Sequence, residues 1–491
     1  MKNNGFYLGI DIGSTAVKAI VVDGVSLMPV GRGSCTYPTH RNGEFVTQSP
    51  HDWISAAVNA AEDAIKQCAS TSIAAISVSA QGGSIFAADR NHDPITDAVS
   101  WMDARADAES GELYDIFGEG IYNSCGWRLS PLDDASKLLW LRKHDSETFE
   151  SAAYFMTTAD YFTGWLCGNY SYDPTSAAIT RLYDITRSDY NASLMCRLGI
   201  DRLKLSRVLP CGAPAGKLTA KAADAFGITA GIPIYTGAHD QYCAAIGSGI
   251  SKPGQLLLAT GTAWVLFGVT EKAEFSDLHI APGVFPNIGR KAENDIYGAV
   301  SSLSGIGSSV ERFATVNGST PADSDKFASA LLESKLACGT QSDDYYALTP
   351  CEEGRGFLPH NAGSGIVFES DPNHTYDEKY LSLLEGAAFE AVSVAEKMIK
   401  GDSASVIMSG GAARSDLWCN IVAAAAATHG WSLDITSERD APAFGAALIA
   451  AASCGIDIAG ACPTRRIAPA DDHTEYMSRA FDAWKHKILI Q

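Results

Sequence analysis

Leu8-Gly-Ile-Asp11-Ile-Gly13-Ser14-Thr15-Ala-Val-Lys18-Ala-Ile-Val-Val22 reads as an apolar strand, a turn made of an acid, a glycine and two hydroxyls, and a second apolar strand. Glycine lets backbone amides approach an anion closely, and Ser or Thr hydroxyls add donors, so the turn suits a phosphate. Asp11 stands where a Mg2+ on that phosphate would need an oxygen ligand. The pattern returns near mid-chain as Leu256-Leu-Leu-Ala-Thr260-Gly261-Thr262-Ala-Trp-Val-Leu-Phe267. Laying Gly13 on Gly261 puts Ser14 on Thr262. Two such hairpins half a chain apart predict two related domains, each offering a small-residue turn to one ligand.

The 491 residues are too many for one core and suit two large domains. A net charge of -20 argues against a nucleic-acid partner, since phosphate backbones call for basic patches. Twelve cysteines are scattered without a C-x-x-C pair or a histidine at metal spacing, which reads as reduced thiols in a cytosolic protein. The start, Met1-Lys-Asn-Asn-Gly5, carries no signal-peptide pattern. The Ala-rich run from Ala443 to Ile456 is too short and too weakly apolar for a bilayer and reads as a core helix. A cytoplasmic enzyme without a membrane partner is the expectation. The sequence leaves a homodimer open.

Strands and helices alternate along the chain. An amphipathic helix is predicted over Asp52–Cys68, then a buried strand Ile73–Ser79 ending in Gln81-Gly82-Gly83, with Ser84–Ala88 continuing as the next strand. Lys137–Lys143 forms a short helix with an apolar stripe. Ile232–Thr236 is a strand, followed by Gly237-Ala-His-Asp240-Gln241 and a helix over Tyr242–Gly247. Ser248–Gly254 is the boundary signal and a candidate hinge, dividing the chain into 1–249 and 250–491. The second half repeats the theme, with the strand Ser405–Ser409 running into Gly410-Gly411-Ala412 as Ile73–Ser79 runs into Gly82-Gly83. Such alternation predicts mixed α/β domains with ligands at strand ends.

Taken together, Asp11-Ile-Gly-Ser-Thr15, Gln81, Trp101-Met-Asp103-Ala-Arg105, Lys137-Leu-Leu-Trp-Leu141, Asp160-Tyr-Phe-Thr-Gly164, Gly237-Ala-His-Asp240-Gln241, Gly261-Thr262, Leu384-Glu-Gly-Ala-Ala-Phe389 and Ser409-Gly-Gly-Ala-Ala-Arg-Ser415 resemble, in this order, the FGGY carbohydrate kinases. The resemblance covers essentially the whole chain. It implies two ribonuclease-H-like domains of the actin/hexokinase type with an interdomain cleft, and ATP and Mg2+ as cofactors. The chain departs from the family pattern at Asp134, at Glu353-Gly354-Arg355 and in Gly365-Ile-Val-Phe-Glu369.

Phosphoryl transfer to a sugar hydroxyl needs a metal-nucleotide cradle, a base and positioning. Asp240 stands where the family has its catalytic Asp, with Gln241 beside it for the sugar; spacing alone reads Asp240 first as a helix N-cap. Asp11 would hold Mg2+. Gly13, Ser14, Thr15 and Lys18 would face the outer phosphates from the first domain, although Lys18 also reads as a solvated edge lysine. Gly261 and Thr262 would bracket the phosphates from the second domain. Gly410, Gly411, Ala412 and Ser415 resemble the family's nucleotide loop, and Gly305 falls where a second nucleotide loop is expected. There is no Walker A motif: Gly212–Leu218 has the wrong spacing.

For the sugar, Gln81, Gly82, Trp101, Asp103 and Arg105 are candidates, since an aromatic wall with amide and carboxylate groups suits a polyhydroxy ligand. Trp101 also reads as a core residue, and Arg105 as an ion-pair partner of Asp103. Glycerol kinases place an Arg-Glu pair, and xylulokinases Met-His, where this chain has Gly82-Gly83. Losing two side chains there is expected to enlarge the pocket or free backbone amides. A ketopentose, D-xylulose first, is the expected substrate, with L-xylulose, L-ribulose, gluconate or a polyol such as erythritol as alternatives. A non-catalytic sugar or nucleotide sensor and an actin-like ATPase are the rival classes.

Overall fold

A computed structural model describes residues 5–68, 72–277, 279–288, 295–303, 305–339, 374–399 and 404–489. The departures at 353–355 and 365–369 lie outside these residues. The fold is mixed α/β, and packing divides it into two units that are discontinuous in sequence. One comprises Met1–Gly249, Glu271–Gly298 and Asp440–Ala461; the other comprises Ile250–Thr270, Ala299–Arg439 and Cys462–Gln491. Residues 271–298 and 440–461, read from sequence as part of a continuous second domain, therefore pack with the first. The helix Ala441–Ser453 shows why: Ala450 and Ala451, on its small-residue surface, are buried against Tyr7 and Ala75.

The first unit is built on a six-stranded sheet in the order Pro214–Lys217, Pro233–His239, Ile73–Ala80, Phe6–Ile12, Ala16–Asp23, Pro29–Thr36. The opening hairpin is antiparallel, and Phe6–Ile12 also pairs in parallel with Ile73–Ala80, setting Asp11 opposite Ser79. Pro233–His239 adds in parallel on the far side of Ile73–Ala80. Three strand ends thus bring Asp11, Gln81 and Asp240 to one edge. The helix expected over Asp52–Cys68 runs Pro50–Lys66, and its buried Trp53 joins the core with Leu8, Ile10 and Ile76. The strand after Gly83, Ile85–Ala88, does not extend the main sheet. It enters a five-stranded sheet with His40–Asn42, Phe45–Gln48, Ala98–Val99 and Tyr154–Thr157; Gln48 ends one of these strands and Trp101 follows another by two residues.

The second unit repeats the opening motif. Gln255–Thr260 and Trp264–Thr270 form an antiparallel hairpin, and Ser405–Gly410 pairs in parallel with Gln255–Thr260, placing Thr260 opposite Gly410. Ser432–Thr436 and Thr464–Ile467 continue that sheet. The Gly13/Gly261 equivalence read from sequence is therefore an equivalence of hairpin plus parallel third strand.

Among the described residues all cysteines are free thiols, and no helix is long and apolar enough to cross a membrane.

Candidate active site

The turn Gly13–Thr15 is held through its carbonyls. Tyr37 donates its hydroxyl to Gly13 O, Gln48 Nε2 donates to Ser14 O at 2.8 Å, and the Tyr37 amide donates to Thr15 O at 3.4 Å. Asp11 is 5% exposed and accepts Ser79 Oγ at 2.7 Å. Burial, and secondly the charge of Asp240, push its carboxyl up to about 7. Asp240 opens the helix Asp240–Gly247, two residues before the expected start. No side-chain cap bond is formed at this helix start, so a capping duty does not account for Asp240. Its side chain is 24% exposed, with His239 Nε2 3.1 Å from Oδ1. His239 is itself buried, and its amide donates to Thr175 Oγ1 at 2.8 Å. Gln241 follows, half-buried.

The sugar candidates divide into two groups. Trp101 is 40% exposed, which excludes the core reading, and its Nε1 donates to Ser14 Oγ at 2.8 Å. Gln81 is buried behind the turn: its Nε2 donates to Gln48 Oε1 at 2.8 Å, while its own Oε1 has no partner among the described residues. Asp103 and Arg105, by contrast, engage each other. Arg105 donates to both carboxylate oxygens at 2.8 and 2.7 Å, and Val46 N donates to Asp103 Oδ2. The Arg105 guanidinium lies over Phe45 and Trp140. With Asp103 fully buried, the pair holds the loop after Trp101 to the strand Phe45–Gln48, which is the structural ion pair of the sequence alternatives.

Gly82 and Gly83 do not leave an open space. A Cβ on Gly82 would lie 2.6 Å from Ile179 Cδ1 and 3.0 Å from His239 Cδ2, so Ile179 fills the volume that a side chain would occupy. Gly83 has φ +70, a region that L side chains rarely adopt. The expected enlargement of the pocket is thus corrected: the two glycines admit Ile179 and a left-handed turn. Lys18 pairs with Asp440 at 3.0 Å, alongside Arg32 at 3.2 Å. It lies on the strand Ala16–Asp23, directly across from Asp11 in the hairpin, and the residue just before the helix Ala441–Ser453 is its ion-pair partner.

Sequence reading missed Lys137. It lies on the helix Asp134–His144, is 2% exposed, and donates to the carbonyls of Gly83, Ser100 and Leu132 at 2.8, 2.8 and 2.7 Å. The signal was a lone lysine within Ser136-Lys-Leu-Leu-Trp140, where its neighbours belong to the buried stripe.

In the second unit a cavity of about 710 Å3 is lined by Gly261, Thr262, Gly307, Gly411, Ala412 and Ser415, among others. Thr260 ties its two glycine turns together. The Thr260 carbonyl accepts Gly411 N at 2.8 Å, and its hydroxyl donates to Ser409 O and accepts Ala412 N. Gly410 turns the strand end with φ +97. Ser415 caps the helix Asp416–Ala427 and donates to Asp325, so its hydroxyl fixes the wall. Gly305 only precedes the helix Ile306–Val316 and accepts Ser308 Oγ. Gly307 is the glycine at the cavity, close enough to Gly261 that a Cβ would come 2.2 Å from its carbonyl oxygen.

The family model for the N-terminal domain of the FGGY family of carbohydrate kinases matches residues 6–247, and the C-terminal model matches residues 256–454. The chain belongs to the FGGY family of carbohydrate kinases. It is similar to a xylulose kinase of Staphylococcus xylosus, 24% identical over 467 residues, covering 91% of this chain and 90% of the relative. It is also similar to an autoinducer-2 kinase of Salmonella choleraesuis, 26% identical over 499 residues, covering 92% and 87%. A crystal structure of a xylulose kinase from Brucella ovis shares the fold at TM-score 0.82 and 24% identity, covering 99% of both chains. The two-unit α/β fold is that of FGGY kinases, and the chain is a carbohydrate kinase.

Proposed function

We propose that this FGGY kinase transfers the γ-phosphoryl group of ATP to a hydroxyl of a ketopentose, D-xylulose first, with Asp240 as the base. The observation that carries this reading is the state of two neighbouring carboxylates. Asp240 is partly exposed at a helix head, and its charge raises the affinity of buried Asp11 for a proton. A base must be accessible to the substrate, and a metal ligand gains from a site where negative charge lacks compensation.

The residues fit Mg2+, which retains water and takes one or two carboxylates together with phosphate oxygens. Asp11 accepts one hydrogen bond from Ser79, and the neighbouring lysine, Lys18, is paired with Asp440 instead. Bound at Asp11, Mg2+ would neutralise charge on the transferred phosphoryl group.

Asp240 accepts the proton of the attacking hydroxyl, while Trp101 offers an aromatic wall for the CH face of the sugar. Ser14 and Thr15 supply hydroxyls and amides for phosphate oxygens. In the second unit Gly261, Thr262, Gly411 and Ala412 line the cavity that takes the nucleotide. A small linear substrate also suits the first unit, because Ile179 and His239 occupy the room beside Gly82. ADP release is to be measured with D-xylulose, L-xylulose, L-ribulose, erythritol, glycerol and gluconate. The reading predicts the highest kcat/KM for a ketopentose. Preference for gluconate or a polyol overturns the substrate, and no stimulation by any sugar overturns the function.

A further inference from the structure

Lys137 is a buried cation that binds no carboxylate directly among the described residues. An ammonium has three donors, and all three are spent on backbone carbonyls. Those carbonyls come from three separate loops. Gly83 belongs to the left-handed turn after Gln81. Ser100 immediately precedes Trp101, whose indole reaches Ser14 Oγ. Leu132 lies in the segment that enters Lys137's own helix, a segment closed by Ser130 N donating to Asp133 Oδ2 at 2.7 Å. Two of these loops also share a long hydrogen bond, Trp101 N donating to Ser84 Oγ at 3.3 Å, next to the Ile85–Val99 strand pair, and all three pack closely: a Cβ on Gly83 would sit 3.0 Å from Trp101 Cβ and 3.7 Å from the Leu132 carbonyl oxygen.

Burying an ammonium opposes stability, and an apolar side chain of similar volume would serve a core better. The charged groups that face it are Asp133 and Asp134 on its own helix, Asp103 on the loop after Trp101, and Arg181 following the helix Pro174–Ile179; burial outweighs the acids and lowers the ammonium's proton affinity. A residue held there against that cost specifies geometry.

We propose that Lys137 is the positioning residue of the sugar site: its ammonium clamps the Gly83, Ser100 and Leu132 loops in register, and so sets Trp101 and the 82–83 backbone for the substrate without touching it. This rests on the reading of that region as the sugar site. The test is Lys137→Met in the full chain, read in two ways. Hydrogen exchange is expected to quicken at residues 82–84, 101–103 and 131–133 and to stay unchanged at 260–262 and 410–412. Steady-state kinetics are expected to show the sugar KM rising roughly tenfold or more, as three buried carbonyls lose their donor, with the ATP KM held within about twofold. Lys137→Gln, which keeps two donors, should fall between wild type and Met, and it carries the same readouts if the Met variant does not fold. Exchange in the three loops at the wild-type rate overturns the proposal. So does an ATP KM that rises in step with the sugar KM, which marks general loosening. If the wild type phosphorylates no sugar, the functional reading fails, and the exchange measurement still decides the clamp.

Discussion

Replacing Asp11 by Asn should make the protein more stable at alkaline pH and yet inactive. Burial moves the Asp11 carboxyl from 3.8 to about 7. An acid with a raised pKa binds more protons folded than unfolded between those values, so stability is lost as pH rises through that window. At about 1.36 kcal/mol per unit, the raised pKa costs the folded state about 1.6 kcal/mol at pH 5, where only the unfolded chain's carboxyl is ionised, and about 4 kcal/mol at pH 8, where both are. Asn carries no such term, and its carbonyl can still accept Ser79 Oγ. The stability difference between Asp11→Asn and wild type should therefore shift by about 2.5 kcal/mol in favour of Asn between pH 5 and pH 8. The other titrating groups are common to both proteins and largely cancel. Denaturant unfolding followed by tryptophan fluorescence, at both pH values with EDTA present, measures this double difference. Adding Mg2+ with nucleotide at pH 8 should stabilise the wild type more than the variant. A difference that does not move with pH, or that moves against Asn, refutes the assignment of Asp11 as a destabilised, ligand-ready carboxylate.

Gly82→Ala should cost about 1–3 kcal/mol by overpacking, because its Cβ meets Ile179 Cδ1 and Cγ2 at 2.6 and 2.7 Å; thermal melts of the single variant and of a double variant with Ile179→Ala, which should recover much of the loss, test this. Gly307→Ala should raise the ATP KM with little change in the sugar KM, since its Cβ would press on the Gly261 carbonyl at the nucleotide cavity; equal effects on both constants would count against the cavity's role. Lys18→Met should leave the ATP KM within about threefold of wild type and act mainly on stability, because Lys18 is paired with Asp440; a large loss of kcat would restore its reading as a phosphate ligand.

The phosphate turns were legible because strand periodicity and glycine spacing are local signals, and the repeated hairpin pattern made Gly13 and Gly261 equivalent positions in the sequence alone. What escaped the sequence depends on distant partners. Nothing local reveals that Ile179 fills the space beside Gly82, or that Asp440, more than four hundred residues away, neutralises Lys18. The discontinuity of the units was hidden for the same reason: the helix Ala441–Ser453 reads as a core helix, and only its burial against Tyr7 and Ala75 shows which core. Asp103 and Arg105 were read both as ligands and as an ion pair; the bidentate geometry, with Val46 N on the same carboxylate, shows the pair, which depends on the strand Phe45–Gln48 far away in sequence. Lys137 looked like part of an apolar stripe because its work is done on backbone carbonyls, which leave no side-chain signature.

The central claim, sugar phosphorylation with Asp240 as base, is tested most directly by sugar phosphate formation on wild type and Asp240→Asn with Mg-ATP and D-xylulose. The account predicts robust transfer by the wild type and a loss on the order of a hundredfold or more in kcat for the variant, with nucleotide affinity unchanged. Full activity in Asp240→Asn, or a wild type that binds ATP but phosphorylates none of the sugars offered, contradicts it.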